Sequence, residues 1–306
     1  MAAFFAVCPL FGLDVAILPA IIGDGDLSRI ECLFRCFPMG RPAMRRTPGG
    51  SVDERPGAEP HPPFYPPREF YEMVDPSRIA LPAQAPPDAP LPHERILRMR
   101  QEWAHLTEVE LRQIIAGYYG MVALADAYCG MVLDALDRLG IRDETLVVWT
   151  ADHGDQMWEH ALFLKFNMRE ASVHVPLLIA DPRVGPGVRR ELVEHVDVFP
   201  TICALAGVGC AEGVQGRSLA PLVRGEPAPE DWRDAVFSQI GDVQMIRTEA
   251  WKLNVYGGEP GELFHIKDDP QEFCNRIDDV ACQATVQSLL DRLKVWEKTH
   301  RPGAGA

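Results

Sequence analysis

From Thr107 onward the apolar residues recur three and four positions apart: Leu111, Ile114, Ile115, Tyr118, Tyr119, Val122, Leu133, Leu136 and Leu139. That spacing lines one face of a helix. Thr107 can accept a backbone N–H of the first turn while Glu110 reaches back to it, and Gly140 offers the left-handed residue that closes such a helix. The pattern then shortens. "TLVVWT" (145–150) is short, apolar and β-branched, as a buried strand is, and "HVPLLIA" (174–180) repeats the signal after a polar interval. "HVDVFPTICALAG" (195–207) predicts a brief strand and then a helix that stops at Gly207. The alternation predicts an α/β domain built on a mixed, largely parallel sheet flanked by helices.

After the proline-rich stretch "GEPAPED" (225–231) the rhythm changes to four short runs, "AVFSQI", "VQMIRT", "KLNVY" and "GELFHI", parted by turn residues. These predict a small antiparallel sheet, closed by the amphipathic helix "QATVQSLLDRLKVWEKTH". Ahead of the long helix, residues 61–92 are dense in proline but interleave aromatic and aliphatic side chains, which predicts an extended segment pinned onto a folded body. Residues 1–60 have no period, and "MGRPAMRRTPGGSVDERPGAEPHPP" is rich in Pro, Gly and Arg. The expected organisation is an irregular segment over 1–60, an α/β domain over 61–228, an α+β subdomain over 229–300 and a tail over 301–306.

A chain of 306 residues, 47% of them hydrophobic, can bury a full core. Its 30 Lys and Arg against 44 Asp and Glu leave a formal charge of -14, which repels phosphate backbones and anionic lipid. Neither nucleic acid nor a membrane is expected as a partner, and an anionic substrate would need local cations or a metal ion. The Cys32 to Cys36 spacing has no second Cys/His pair to close a zinc site, so the eight cysteines are expected mostly as reduced core thiols. The apolar start lacks a basic cluster and is interrupted by Pro9, Asp14 and Pro19. It fits neither a signal peptide nor a spanning helix, and a cytoplasmic location follows as the expectation.

The chemistry gathers in "VVWTADHGDQMWEHALFLKF" (147–166), directly after the buried strand. Ligands of open α/β sheets collect at the carboxyl ends of strands, where loops leave a crevice. There Asp152 and His153 stand side by side, a hard oxygen and a nitrogen able to share one divalent cation, with Gly154 allowing the chain to turn beneath them. An ordinary turn, with the Asp bonded to its own backbone, would look the same. Lys165 in "LFLKF" is an ammonium in apolar surroundings, better explained by a nearby anion than by solvent alone. His61 sits between prolines on a stiff loop. His174 and His195 fall on strand-like runs and read as packed or hydrogen-bonded structural residues.

"TADHGDQMWEHALFLK" followed by "EASVHVPLLI" closely resembles the sulfatase family of the alkaline phosphatase superfamily. The likeness extends to "YYGMVALADAYCGMVLDALDRLGIRDETLVVWTADHGD", to "VEHVDVFPTICALAGV" with "VQGRSLAPLVRGE", to "MIRTEAWKLNVYGGEPGELFHIKDDPQEFCNR" and to "EPHPPFYPPREFYEMVDP". It runs from about residue 60 to 300. The resemblance implies an alkaline-phosphatase-like fold and hydrolysis of small-molecule sulfate esters. Asp152 and His153 would hold a divalent metal, Ca²⁺ first and Mg²⁺ or Mn²⁺ as alternatives. Lys165 would grip a sulfate oxygen, and His61 would contact the sulfate and protonate the leaving oxygen. Glu159 and His160 would support them.

The family's catalytic nucleophile is a formylglycine made from the Cys of a "C-x-P-S-R" phrase, preceded by two aspartates that complete the metal site. Here "CPLFG" at Cys8 lacks the Ser and Arg, and Asp24 and Asp26 follow that Cys. No nucleophile is assigned. One carboxylate and one imidazole make about a third of a Ca²⁺ site. Trp158 and Ala161 stand where the family usually has glycine. The expectation is a truncated sulfatase, weakly active or inactive as this chain. A non-catalytic relic that binds anions or proteins is one alternative, and a phosphodiesterase or phosphonate monoester hydrolase is the other. Residues 13–22, "LDVAILPAII", are apolar enough to stand in for a missing strand, with Pro19 unsuited to a strand centre.

Overall fold

The long helix α3 (Glu108–Leu139) forms where its caps place it, with shorter helices α1 (Arg68–Tyr71) and α2 (Glu94–Trp103) ahead of it. Thr107 Oγ1 accepts the Glu110 N–H at 3.4 Å, the Glu110 carboxylate accepts the Thr107 N–H at 2.8 Å, and Gly140 ends the helix at φ 66°. This computed structural model describes residues 60–90 and 92–300, with the backbone of two short strands at 6–7 and 16–19.

Two four-stranded sheets follow from the remaining apolar runs. The first has the order β1 (Ala6–Val7), β2 (Ala16–Pro19), β3 (Thr145–Thr150), β4 (Leu177–Ala180). Helices α5 (Val198–Ala206) and α6 (Ala220–Val223) lie against it, whereas α4 (Glu170–Val173) packs Val173 with Val243 and Met245 of the second sheet. The second has the order β5 (Ala235–Ile240), β6 (Val243–Thr248), β7 (Trp251–Tyr256), β8 (Glu259–His265), a meander with tight turns, packed by α7 (Gln283–His300). Leu146 and Val148 of β3 meet Ile202 and Leu205 of α5 in one core. Ile246, Leu253 and Leu263 meet Val286, Leu289 and Leu293 of α7 in another.

Two expectations change in detail and one is met. The α/β class stands, but the described strands of the first sheet pair antiparallel rather than largely parallel, β2 and β4 both running against β3. The apolar stretch at 13–22 does supply a strand beside β3, and Pro19 is its last residue, opposite Thr145, where its missing N–H harms the ladder least. The predicted strand at the start of 195–207 is instead a 3₁₀ turn, His195–Asp197, leading straight into α5. Asp197 dictates that. Fully buried, it accepts the N–H groups of Glu194 and Arg217 and both Nη of Arg233, which a strand could not gather. Cys203 and Cys282 are buried, as a core thiol should be, whereas Cys129 and Cys274 are half-buried and Cys210 is exposed. Cys8, Asp24 and Asp26 lie outside the described residues.

Candidate active site

The loop after β3 is built before any ligand arrives. His153 Nδ1 lies 2.9 Å from the Gly154 carbonyl, which can only accept, so Nδ1 carries the proton and Nε2 keeps its lone pair. Asp152 Oδ1 accepts the His153 N–H at 2.9 Å, and its Oδ2 stands 3.4 Å from His153 Nε2. The two free donor atoms thus face the same small volume, on side chains that are partly exposed. His195 Nε2 reaches Thr150 Oγ1 at 3.4 Å, placing a further imidazole beside the end of β3.

Asp155 fixes what comes next. Its carboxylate accepts the N–H groups of Leu164 (2.9 Å) and Met157 (3.4 Å), while Gln156 N–H donates to Leu164 O and Trp158 N–H to Leu162 O. Burial raises Asp155 above the usual carboxylate range, against the lowering pull of those N–H groups, Lys165 and His153. Lys165 makes no ion pair within 4.0 Å among the described residues, so its ammonium, held near the Phe166 ring, is available to an anion. Beneath the loop Gln156 donates to Asn167 and Ser172, a buried polar set that the sequence did not mark.

The loop is strained: Met157, Trp158, His160, Ala161, Leu164 and Phe166 all have positive φ, although none is glycine. The two sites where the family usually has glycine, Trp158 (φ 79°) and Ala161 (φ 58°), are among them. Trp158 turns inward, packing on Phe163 at 5.6 Å and giving its carbonyl to Gln84. Ala161→Gly is expected to raise stability by about 1 kcal/mol, read as a shift in the urea midpoint, because glycine tolerates this backbone. An unchanged or lower midpoint would show that the strain is not felt.

His61 lies exposed on its loop, with Nδ1 2.7 Å from the Pro62 carbonyl. No hydrogen bond or ion pair joins it to Asp152, His153 or Lys165 among the described residues. The link is apolar. Phe64 and Leu164 share one cluster with Met157, Phe163 and Tyr118, so both loops rest on the same face of α3. There Gly117 and Gly120 admit the loop: a Cβ on Gly117 would sit 2.6 Å from Phe64 O, and one on Gly120 2.7 Å from the Pro66 ring. Burial, with the carboxylates of Asp155 and Glu159 nearby, pushes the Tyr118 phenol up to about 12.

His160 is buried under the loop, and its carbonyl accepts Arg100 Nε at 2.6 Å. Burial, with the charges of Arg169, Arg100 and Lys252, brings its imidazole from 6.5 down to about 3. The unfolded chain therefore takes up the proton first, and stability present above pH 6.5 is lost as pH falls toward 3, at about 1.4 kcal/mol per unit. His160→Gln is expected to flatten that part of the urea-midpoint profile; an unaltered slope would remove His160 as the cause. His174 and His195 are not on strands. His174 caps the end of α4, exposed, 3.5 Å from Glu170.

Comparison with known proteins agrees with this geometry. The Sulfatase family model matches residues 58–208, and the model of the N-sulphoglucosamine sulphohydrolase C-terminal region matches 158–299. The chain belongs to the sulfatase family. It is 37% identical to arylsulfatase K of Danio rerio over 216 residues, covering 64% of this chain and 41% of that protein. It is 29% identical to the choline-sulfatase of Rhizobium meliloti (strain 1021), covering 78% and 49%. The phosphonate monoester hydrolase SpPMH from Silicibacter pomeroyi superposes with a TM-score of 0.73 at 27% identity, over 81% of this chain and 56% of that one. The chain thus spans about half the length of the relatives it matches.

Sulfatases generally use a divalent metal and a formylglycine. The donors present fit the metal in part: Asp152 Oδ2 and His153 Nε2, with its tautomer set by Gly154, suit two corners of a hard cation site. No group of three or more His, Cys, Asp or Glu is assembled among the described residues. For formylglycine the sequence offers no "C-x-P-S-R" phrase. "CFPMG" at Cys36 has the Pro but Met39 and Gly40 in place of Ser and Arg, and lies outside the described residues.

Proposed function

We propose that this chain serves the hydrolysis of small-molecule sulfate esters. The observation that carries the proposal is the Asp152–His153 pair, two outward donor atoms 3.4 Å apart at the carboxyl end of a buried strand. Asp152 and His153 hold a divalent cation, Ca²⁺ first, which when bound supplies positive charge for the sulfate oxygens. Lys165, without a carboxylate partner, takes a sulfate oxygen. His61 keeps its Nδ1 proton on the Pro62 carbonyl, leaving Nε2 to take up a proton and pass it to the leaving oxygen. The free thiols accord with a cytoplasmic setting. Calorimetry with Ca²⁺ and Mn²⁺ tests the site: Asp152→Ala is expected to weaken binding by at least roughly tenfold and to abolish turnover of a nitrophenyl sulfate. Equal binding by both proteins would remove the pair as ligands. Metal binding without turnover would favour a non-catalytic relic.

A second reading, hydrolysis of phosphonate monoesters, is favoured by two structural neighbours. The phosphonate monoester hydrolases of Silicibacter pomeroyi and Agrobacterium radiobacter superpose with TM-scores of 0.73 and 0.67. Faster turnover of a phenylphosphonate monoester than of the aryl sulfate would make it the better description.

A further inference from the structure

Behind the strained loop, where α2, the 3₁₀ turn Glu159–Ala161 and β8 converge, lies a cavity with room for little more than one water-sized body. Arg100, His160, Arg169, Phe264, Glu272 and Asn275 line it. Arg169 is 1% exposed, and its Nε has no partner. Its other nitrogens are committed, Nη2 to Glu262 at 2.6 Å and Nη1 to the Glu272 carbonyl at 2.7 Å, with the guanidinium over the Phe264 ring. Arg100 uses Nε on the His160 carbonyl, and its two Nη have no partner among the described residues.

Most side-chain acceptors around the cavity are engaged, while Glu272 Oε1 stands in ion-pair reach of Lys252 and receives no hydrogen bond. Glu272 pairs with Lys252 at 2.9 Å and accepts the Glu170 N–H at 2.7 Å. Asn275 Oδ1 accepts the N–H groups of Leu263 and Ile277. The charge is also uneven. Arg100, Arg169, Arg247 and Lys252 are cations in or bordering this network, and Glu170, Glu262 and Glu272 are its carboxylates. His160 adds no proton near neutrality. Glu262 is the carboxylate that acts on Arg100, and it is already spent on Arg169, Tyr256 and Asn254. One positive charge and a surplus of donors are left beside a space of one-atom size. An anion there would meet the unpaired Arg169 Nε–H and the free nitrogens of Arg100 and would balance the remaining positive charge, whereas a water would balance none of it.

We infer that this cavity binds one monatomic anion of the chloride class between Arg100 and Arg169, tying the Lys165 loop to the C-terminal sheet. Two measurements on the full chain test it. A crystal grown in bromide is expected to show an anomalous peak in the cavity. Melting in sodium chloride is expected to exceed melting in sodium gluconate of equal ionic strength by a few degrees, saturating with concentration, and Arg100→Met is expected to lose that difference. Absence of the bromide peak overturns the inference, as does equal melting of the wild type in the two salts or an undiminished chloride effect in Arg100→Met. Should Arg100→Met fail to fold, the wild-type bromide density and the salt comparison decide alone.

Discussion

Glu262→Ala is expected to lower stability by about 3–5 kcal/mol, a large share of the roughly 5–15 kcal/mol that holds most domains folded. Glu262 is fully buried, and its two oxygens serve Arg169 at 2.6 Å, Tyr256 OH at 2.7 Å, Asn254 Nδ2 at 3.2 Å and the His93 N–H at 3.2 Å. Truncation removes the carboxylate that pairs with the buried Arg169 guanidinium. Urea unfolding measures the loss, and Glu262→Gln, which keeps the shape, is expected to lose less. A loss under about 1 kcal/mol would mean that water or another carboxylate reaches Arg169.

The second large effect is expected at Gly154→Ala. A Cβ there would meet the Ala171 backbone carbonyl oxygen at 1.9 Å, while the Gly154 N–H donates to Ser172 O at 2.9 Å. Neither side can yield without moving the loop. Stability is expected to fall by about 1–3 kcal/mol, as in overpacked cores, and the Asp152–His153 pair should lose its Ca²⁺ affinity even where the protein remains folded. Calorimetry on folded Gly154→Ala checks this. Ca²⁺ affinity equal to wild type would show that the glycine is needed for folding and not for setting the donors.

How much of this the sequence disclosed depends on how local each cause is. Helix α3 was legible from Thr107 to Gly140 because its caps and its period lie within one segment. The meander β5–β8 and α7 were legible for the same reason, each strand pairing with its neighbour in the chain. The direction of pairing in the first sheet was not, since β3 takes a partner from residues 16–19, more than a hundred positions away. The charges at Arg169, Lys252, Glu262 and Glu272 carry no mark of burial in the sequence. They are buried only because they meet one another across the gap between loop and sheet, and no single segment shows that. In the site, Asp152 and His153 were named from their adjacency, while Asp155, Gln156 and Asn167 act through turns that no periodicity reveals.

The seat of the His61 loop on α3 separates two properties that evolution could otherwise not alter independently. The contacts at Gly117 and Gly120 are made by backbone atoms of Phe64 and Phe70 and by the Pro66 ring. The height of the loop above the helix is therefore set by main chain, by the Pro66 ring and by the packing of Phe64. Tyr65, 84% exposed, takes no part in that seat. Exposed positions of that loop are thus free to drift in sequence without moving His61.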